Sequence, residues 1–161
     1  MFNLKAEFYL KIIFLFSFIA LISAFFIEHV LGHQPCNLCL IERIPYGLSI
    51  MIIIVIFLTK KNQKFFVLLL IFTFIFSFAI SFYHFGIEQG FFQESYVCGV
   101  KSLTETITKE DLLKQLSEKT ISCKDVTFRI FGLSLTSINI VISLLFIITL
   151  LKIFKKYEKN K

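Results

Sequence analysis

A chain of 161 residues in which 57% are apolar and only 17% charged, with a mean hydropathy of +0.80, carries more apolar surface than one soluble domain of this length can bury. Its main solvent is therefore lipid. The formal net charge of +6 needs no nucleic-acid partner, because the basic residues gather in short segments flanking apolar runs.

Four apolar runs follow one another: 8–27, broken only by Lys11, then 44–58, 65–83 and 130–151. At a rise of about 1.5 Å per residue, about 20 residues cross a hydrocarbon core of roughly 30 Å, so the first, third and fourth suffice unaided. The second becomes long enough when it starts at Leu40, which sets Glu42 and Arg43 at the membrane boundary, where a long Arg side chain can snorkel to water. The predicted spans are thus 8–27, 40–58, 65–83 and 130–151. Lys5 ahead of the first run and Lys11 near its start have the look of a secretory signal, but no clear small-x-small cleavage site follows, and the run is assigned as a span.

The spans are helices, because lipid offers backbone N–H and C=O groups no partners and four such segments are too few for a barrel. The expected fold is an all-α membrane protein: a four-helix transmembrane bundle with two extracytoplasmic loops, forming one domain over 1–161 without internal repeats. Small and polar residues in the last span, Gly132, Thr136, Asn139 and Ser143, recur every three or four positions and would let another helix approach closely.

Lys and Arg bias sets the orientation. The connector 59–64, "TKKNQK", holds three lysines and no acid, and the tail 152–161 holds five lysines against Glu158, while the N-terminal end is weakly basic. These segments are predicted to be cytoplasmic. The loops 28–43 and 84–129 are near neutral and are predicted to lie outside with all four cysteines.

Residues 35–43, "PCNLCLIER", set Cys36 and Cys39 two residues apart, just ahead of an acid and a base. Outside the cytoplasm an even number of cysteines usually means disulfides, so two structural bridges are the plain expectation. A Cys-x-x-Cys ring closes little chain entropy, however, and staples poorly, whereas its strain suits thiol–disulfide exchange. Redox chemistry is the better assignment for this pair. Arg43, one helical turn after Cys39, would raise the thiolate fraction. For Cys98 and Cys123 an ordinary staple and a redox pair both stand. A metal site built from His29, His33, Cys36, Cys39, His84, Cys98 and Cys123 has suitable ligand types, but it lacks the two matched ligand pairs usual for zinc, and none is assigned.

In the second loop, residues 102–122 read as a short amphipathic helix: Thr108 and Asp111 resemble a capping box, and Leu112, Leu113 and Leu116 form an apolar stripe. It would lie on the headgroups or pack on the bundle, with Cys98 and Cys123 on mobile flanks. In "YHFGIEQGFF", residues 83–92, Gly86 and Gly90 suggest turns, and the aromatics suit the interface. His84 is either an interfacial residue or a proton carrier near a bound redox ligand.

The stretches "PCNLCLIERIPYG" and "YHFGIEQG", the separate Cys98 and Cys123, and "FRIFGLSLTSIN" opening the fourth span together resemble the disulfide bond formation protein B (DsbB) family, over nearly the whole chain. The resemblance implies a bacterial inner-membrane thiol oxidase that reoxidises a periplasmic thioredoxin-fold (DsbA-like) partner and passes the electrons to quinone, ubiquinone or menaquinone. By the same resemblance, Cys36 and Cys39 hand electrons to quinone, Arg43 lies beside it and His84 close to it. Cys98 and Cys123 form the second pair, with Cys98 meeting the partner. Vitamin K epoxide reductase-like proteins share a similar bundle, but their quinone-facing Cys-x-x-Cys falls in a late span. The alternatives are a metal-binding membrane protein and a structural one stapled by two disulfides.

Overall fold

The computed structural model describes residues 4–59, 62–93, 98, 122–124, 129–130 and 132–159. Among these residues four helices run up and down, α1 (Leu4–His29), α2 (Asn37–Leu58), α3 (Gln63–Glu88) and α4 (Leu135–Lys159), with two short strands, β1 (Arg129–Ile130) and β2 (Leu133–Ser134), before the last. Stretches of all four, Ala6–His29, Asn37–Leu58, Gln63–Glu88 and Leu135–Lys156, are long and apolar enough to cross a membrane. The chain is a multi-pass membrane protein. Its surface agrees: Leu15, Met51, Phe72 and Leu145 are all more than half exposed on different helices, a cost that lipid removes and water would not.

Inside, the order is partly inverted. Ser17, Ser49, Ser77, Ser81 and Ser143 are completely buried, and four of them pair across helix seams: Ser49 Oγ donates to Ser17 Oγ at 3.0 Å between α2 and α1, and the Ser77 and Ser143 hydroxyls lie 3.1 Å apart between α3 and α4. Small hydroxyl residues let backbones approach, and a hydrogen bond is their best alternative to an unsatisfied group in hydrocarbon. Around these pairs Leu10, Ile13, Ile53, Leu70, Phe74 and Leu150 form the apolar core, with the Phe74 ring set edge-on to Phe146 at 5.0 Å and to Tyr46 at 6.4 Å. Helix α3 packs chiefly on α4 and then on α2; α1 packs on α2 and barely meets α4.

Three local features differ from the sequence-based expectation. Helix α2 begins at Asn37 rather than Leu40, because the Cys36 sulfur accepts the Cys39 N–H at 3.2 Å and so caps the first turn. Gly86 is helical rather than part of a turn; a Cβ there would fall on the Phe92 ring, which folds back to stack on Tyr83 at 5.7 Å. The turn itself comes at Gly90, with φ of +79°. The fourth helix starts at Leu135 rather than at 130, since Gly132, at φ +83°, turns the chain in a small antiparallel hairpin pairing Arg129 with Ser134. Gly132 therefore leaves the helical stripe, while Thr136, Asn139 and Ser143 remain on it, all buried. The amphipathic helix predicted around Leu112, Leu113 and Leu116 lies outside the described residues.

Candidate functional site

The C-terminal ends of α1 and α3 and the N-terminal ends of α2 and α4 meet at one end of the bundle. Cys36, at the N-cap of α2, is only 6% exposed. The Cys39 thiol hydrogen-bonds the Cys36 sulfur, and His84 adds a second hydrogen bond and electrostatic attraction. Against the cost of burial, these hold the Cys36 thiol well below its ordinary value, at about 5. Sequence reasoning expected Arg43 to act on the thiols; at Cys36 it is Cys39 and His84 that do so. Both Cys36 and Cys39 are free thiols.

His84, near the end of α3 and 3% exposed, faces the Cys36 sulfur through Nε2 at 3.6 Å and donates from Nδ1 to Glu42 Oε1 at 2.9 Å. Glu42 is held in turn from α4: Asn139 Nδ2 donates to Glu42 Oε2 at 3.2 Å and to Ser81 Oγ at 2.8 Å, while the Tyr46 hydroxyl donates to Asn139 Oδ1. A polar chain thus runs from Cys36 through His84 and Glu42 to Asn139, crossing three helices. Beside it stands Glu88, whose Oε1 accepts from Thr136 at 2.6 Å and lies 3.9 Å from His84 Nε2. Its Oε2 is buried with no hydrogen-bond partner among the described residues.

Arg43 points to the opposite flank of α2. Its guanidinium pairs with Glu28 of α1, Nη1 to Oε2 at 2.5 Å, and stands 5.3 Å over the Phe25 ring. Where α1 and α4 diverge, a cavity of about 270 Å³ opens, walled mainly by apolar side chains such as Phe16, Leu21, Ile27 and Ile142; Cys39, Glu42, Arg43, Tyr46 and Asn139 form its polar edge. Cys39 and Arg43 share this wall. His84 is not part of it and sits against Cys36 and Glu42 instead.

Cys98 and Cys123 are joined in a disulfide, with Cα atoms 5.5 Å apart. Both are 2% exposed and pack in one buried cluster with Cys36, Leu38 and Ile87, edged by Cys39, Ile80 and Tyr83. They are seated in the bundle end. All four cysteines, scattered over 36–123 in the chain, meet in this cluster.

A family model described as "Disulfide bond formation protein DsbB" matches residues 6–153. The chain belongs to the DsbB family. It is accordingly a membrane protein of disulfide formation, with the disulfide oxidoreductase activity of that family. A relative from Rickettsia prowazekii (strain Madrid E), named "Uncharacterized protein RP370", is 29% identical over 147 residues, which cover 90% of this chain and 86% of the relative.

For a DsbB-family protein the arrangement is chemically coherent. One thiol is held as thiolate within a cluster that also contains a disulfide, and the other faces an apolar cavity. Sequence reasoning passed over Glu42, Tyr46 and Glu88 as parts of the site and treated Asn139 and Thr136 as packing residues. The signals were faint but present: Glu88 lies one turn after His84, and an Asn in a lipid-spanning helix needs a partner.

Proposed function

We propose that this protein is a quinone-dependent thiol oxidase of the bacterial inner membrane, with both termini cytoplasmic and its four cysteines on the periplasmic side. It reoxidises a periplasmic thioredoxin-fold, DsbA-like dithiol partner and so sustains disulfide formation in secreted proteins. The observation that carries this proposal is the gathering of both cysteine pairs in one buried cluster, with Cys39 opening on an apolar cavity edged by Arg43.

A partner thiolate attacks the Cys98–Cys123 disulfide at Cys98, and the second partner thiol resolves the mixed disulfide, leaving the partner oxidised and Cys98 and Cys123 reduced. These thiols exchange in the same way with a Cys36–Cys39 disulfide, so that two electrons and two protons come to rest on Cys36 and Cys39. A quinone, when bound, supplies the acceptor for those two electrons and two protons. The cavity fits such a group: its walls are apolar, and Arg43 offers a charge-assisted hydrogen bond to a carbonyl oxygen while Tyr46 and Asn139 close its polar edge. Cys39 and His84 set the protonation of Cys36 while Glu42 orients His84, a role for His84 next to the thiol rather than in the cavity wall. The partner oxidant of this system has a potential of about −120 mV, so a dithiol poised there needs a stronger acceptor than the glutathione pool, and a lipid-soluble quinone meets that need.

The test is to mix the purified protein with excess reduced thioredoxin-fold partner, with and without ubiquinone or menaquinone, and to follow quinone absorbance and partner thiols together. Partner thiols are expected to disappear only when quinone is present, in step with its reduction. Loss of thiols at the same rate without quinone, or no loss at all, refutes the proposal.

A further inference from the structure

We infer that the reduced Cys36–Cys39 pair, together with His84, is a binding site for a soft d¹⁰ cation of the zinc class, whose occupancy locks the dithiol and arrests its oxidation.

The Cys36 and Cys39 sulfurs and a ring nitrogen of His84 all lie within 4.8 Å of one another. Zinc–sulfur bonds of about 2.3 Å and zinc–nitrogen bonds of about 2.0–2.1 Å at tetrahedral angles require a sulfur-to-nitrogen edge of about 3.6 Å. The Cys36 sulfur and His84 Nε2 are 3.6 Å apart, so that edge is already built. The remaining edges close with rotamer adjustments of about an ångström at Cys39, which stands in the first turn of α2. Two thiols and an imidazole are a donor set that selects zinc-class and cuprous ions over magnesium or calcium.

Two further features favour a cation here. A metal-bound histidine typically donates its other ring N–H to a carboxylate, which fixes the tautomer and aims the free lone pair at the ion. His84 Nδ1 makes that bond to Glu42 Oε1 at 2.9 Å, and Asn139 anchors the other Glu42 oxygen. Independently, Glu88 Oε1 stands 3.9 Å from His84 Nε2, with the side chain 5% exposed and its Oε2 unpartnered among the described residues. A buried carboxylate oxygen without a partner is costly, and a nearby cation, reached through a bound water, relieves that cost.

Binding is proton exchange without electron transfer. The cation forms two bonds to sulfur and one to Nε2, and the protons carried by the thiols and by Nε2 leave for solvent. A Cys36–Cys39 disulfide has no thiolate to offer, so only the reduced pair binds. The binding stands on these three ligands alone, whereas the metal's effect on turnover rests on the thiol-oxidase function proposed above.

Cadmium serves as the spectroscopic probe. The full chain, in detergent, reduced, free of quinone and under anaerobic conditions, is titrated with Cd²⁺ while the ultraviolet thiolate-to-cadmium band is followed, alongside a Cys98→Ser/Cys123→Ser variant that leaves only the first pair. One equivalent is expected in the variant, with His84→Ala weakening the affinity at least tenfold. If no band forms, or if His84→Ala binds as tightly as the parent, the site is overturned. Should His84→Ala lose its helical circular dichroism, the cadmium NMR shift of the parent decides instead: a two-sulfur, one-nitrogen environment supports the site, and sulfur with oxygen only refutes it. In turnover with partner and quinone, added Zn²⁺ is expected to stop thiol loss and a chelator to restore it. Unchanged turnover at saturating Zn²⁺ refutes the arrest, while absent turnover before any metal is added refutes the thiol-oxidase function instead.

Discussion

Replacing Asn139 by leucine tests whether the buried polar chain is a structural keystone of the site. The side chains have the same branching and number of heavy atoms, so the change opens no cavity and bears chiefly on the hydrogen bonds. Asn139 takes part in three: to Glu42, to Ser81 and from the Tyr46 hydroxyl. Interhelical hydrogen bonds in membrane proteins average about 0.6 kcal/mol, so losing all three costs about 2 kcal/mol. Glu42 Oε2 is then left buried without this partner, at about 1–3 kcal/mol, while the Tyr46 hydroxyl keeps its hydrogen bond with Ser143, so the expected loss is about 3–5 kcal/mol. Ser143→Ala, which removes the 3.1 Å contact with Ser77 and a hydrogen bond with Tyr46, is the control, expected at about 1.2 kcal/mol. Reversible unfolding by a denaturing detergent in mixed micelles, read by far-ultraviolet circular dichroism, compares the variants. If Asn139→Leu costs no more than Ser143→Ala, the polar chain does not hold the helices together and the reasoning fails.

Three further outcomes are expected. Arg43→Gln removes a charge-assisted hydrogen bond worth about 1.5–3 kcal/mol, so apparent quinone affinity should fall about 10- to 150-fold while exchange with the partner is less affected; equal losses in KM-dependent and partner-dependent steps argue against a quinone contact. Cys98→Ala should block electron entry from the protein partner yet leave quinone reduction by a small dithiol intact, and a variant that still oxidises the partner at the parental rate reverses the order of transfer. The Cys36 sulfur should be a thiolate above about pH 5 and take up its proton below it. Cys39→Ala removes the largest cause of that shift, so the thiolate absorbance should then titrate nearer the ordinary thiol range, and an unchanged midpoint assigns the shift elsewhere.

Much of the architecture was legible in the order of residues. Four apolar runs of bilayer length determine four helices because hydrocarbon leaves backbone groups no other partners. The Cys36–Cys39 spacing, ahead of Glu42 and Arg43, marked the chemistry, because a ring that small staples poorly and exchanges well. The ends of elements were less legible. Gly86 and Gly90 look alike in sequence, yet only Gly90 takes a positive φ, while Gly86 is needed for the space that Phe92 fills. Likewise Gly132, in phase with Thr136, Asn139 and Ser143, turns a hairpin rather than continuing the helix.

Only the tertiary structure decided what surrounds the cysteines. Glu42 meets His84 across 42 residues and Asn139 across 97, and hydropathy along the chain carries no record of such distances. In sequence Glu42 was a charge at the edge of a span. Packed between α3 and α4, it orients the histidine that faces Cys36. Arg43, its neighbour, turns to the other flank of α2 because successive helical residues point about 100° apart, and it meets Glu28 and the cavity instead. The sequence by itself determined that a dithiol stands at a membrane boundary, since span length and cysteine spacing are properties of the chain. Helix packing decided which polar groups that dithiol touches, since those contacts exist only once four apolar helices have excluded lipid from between them.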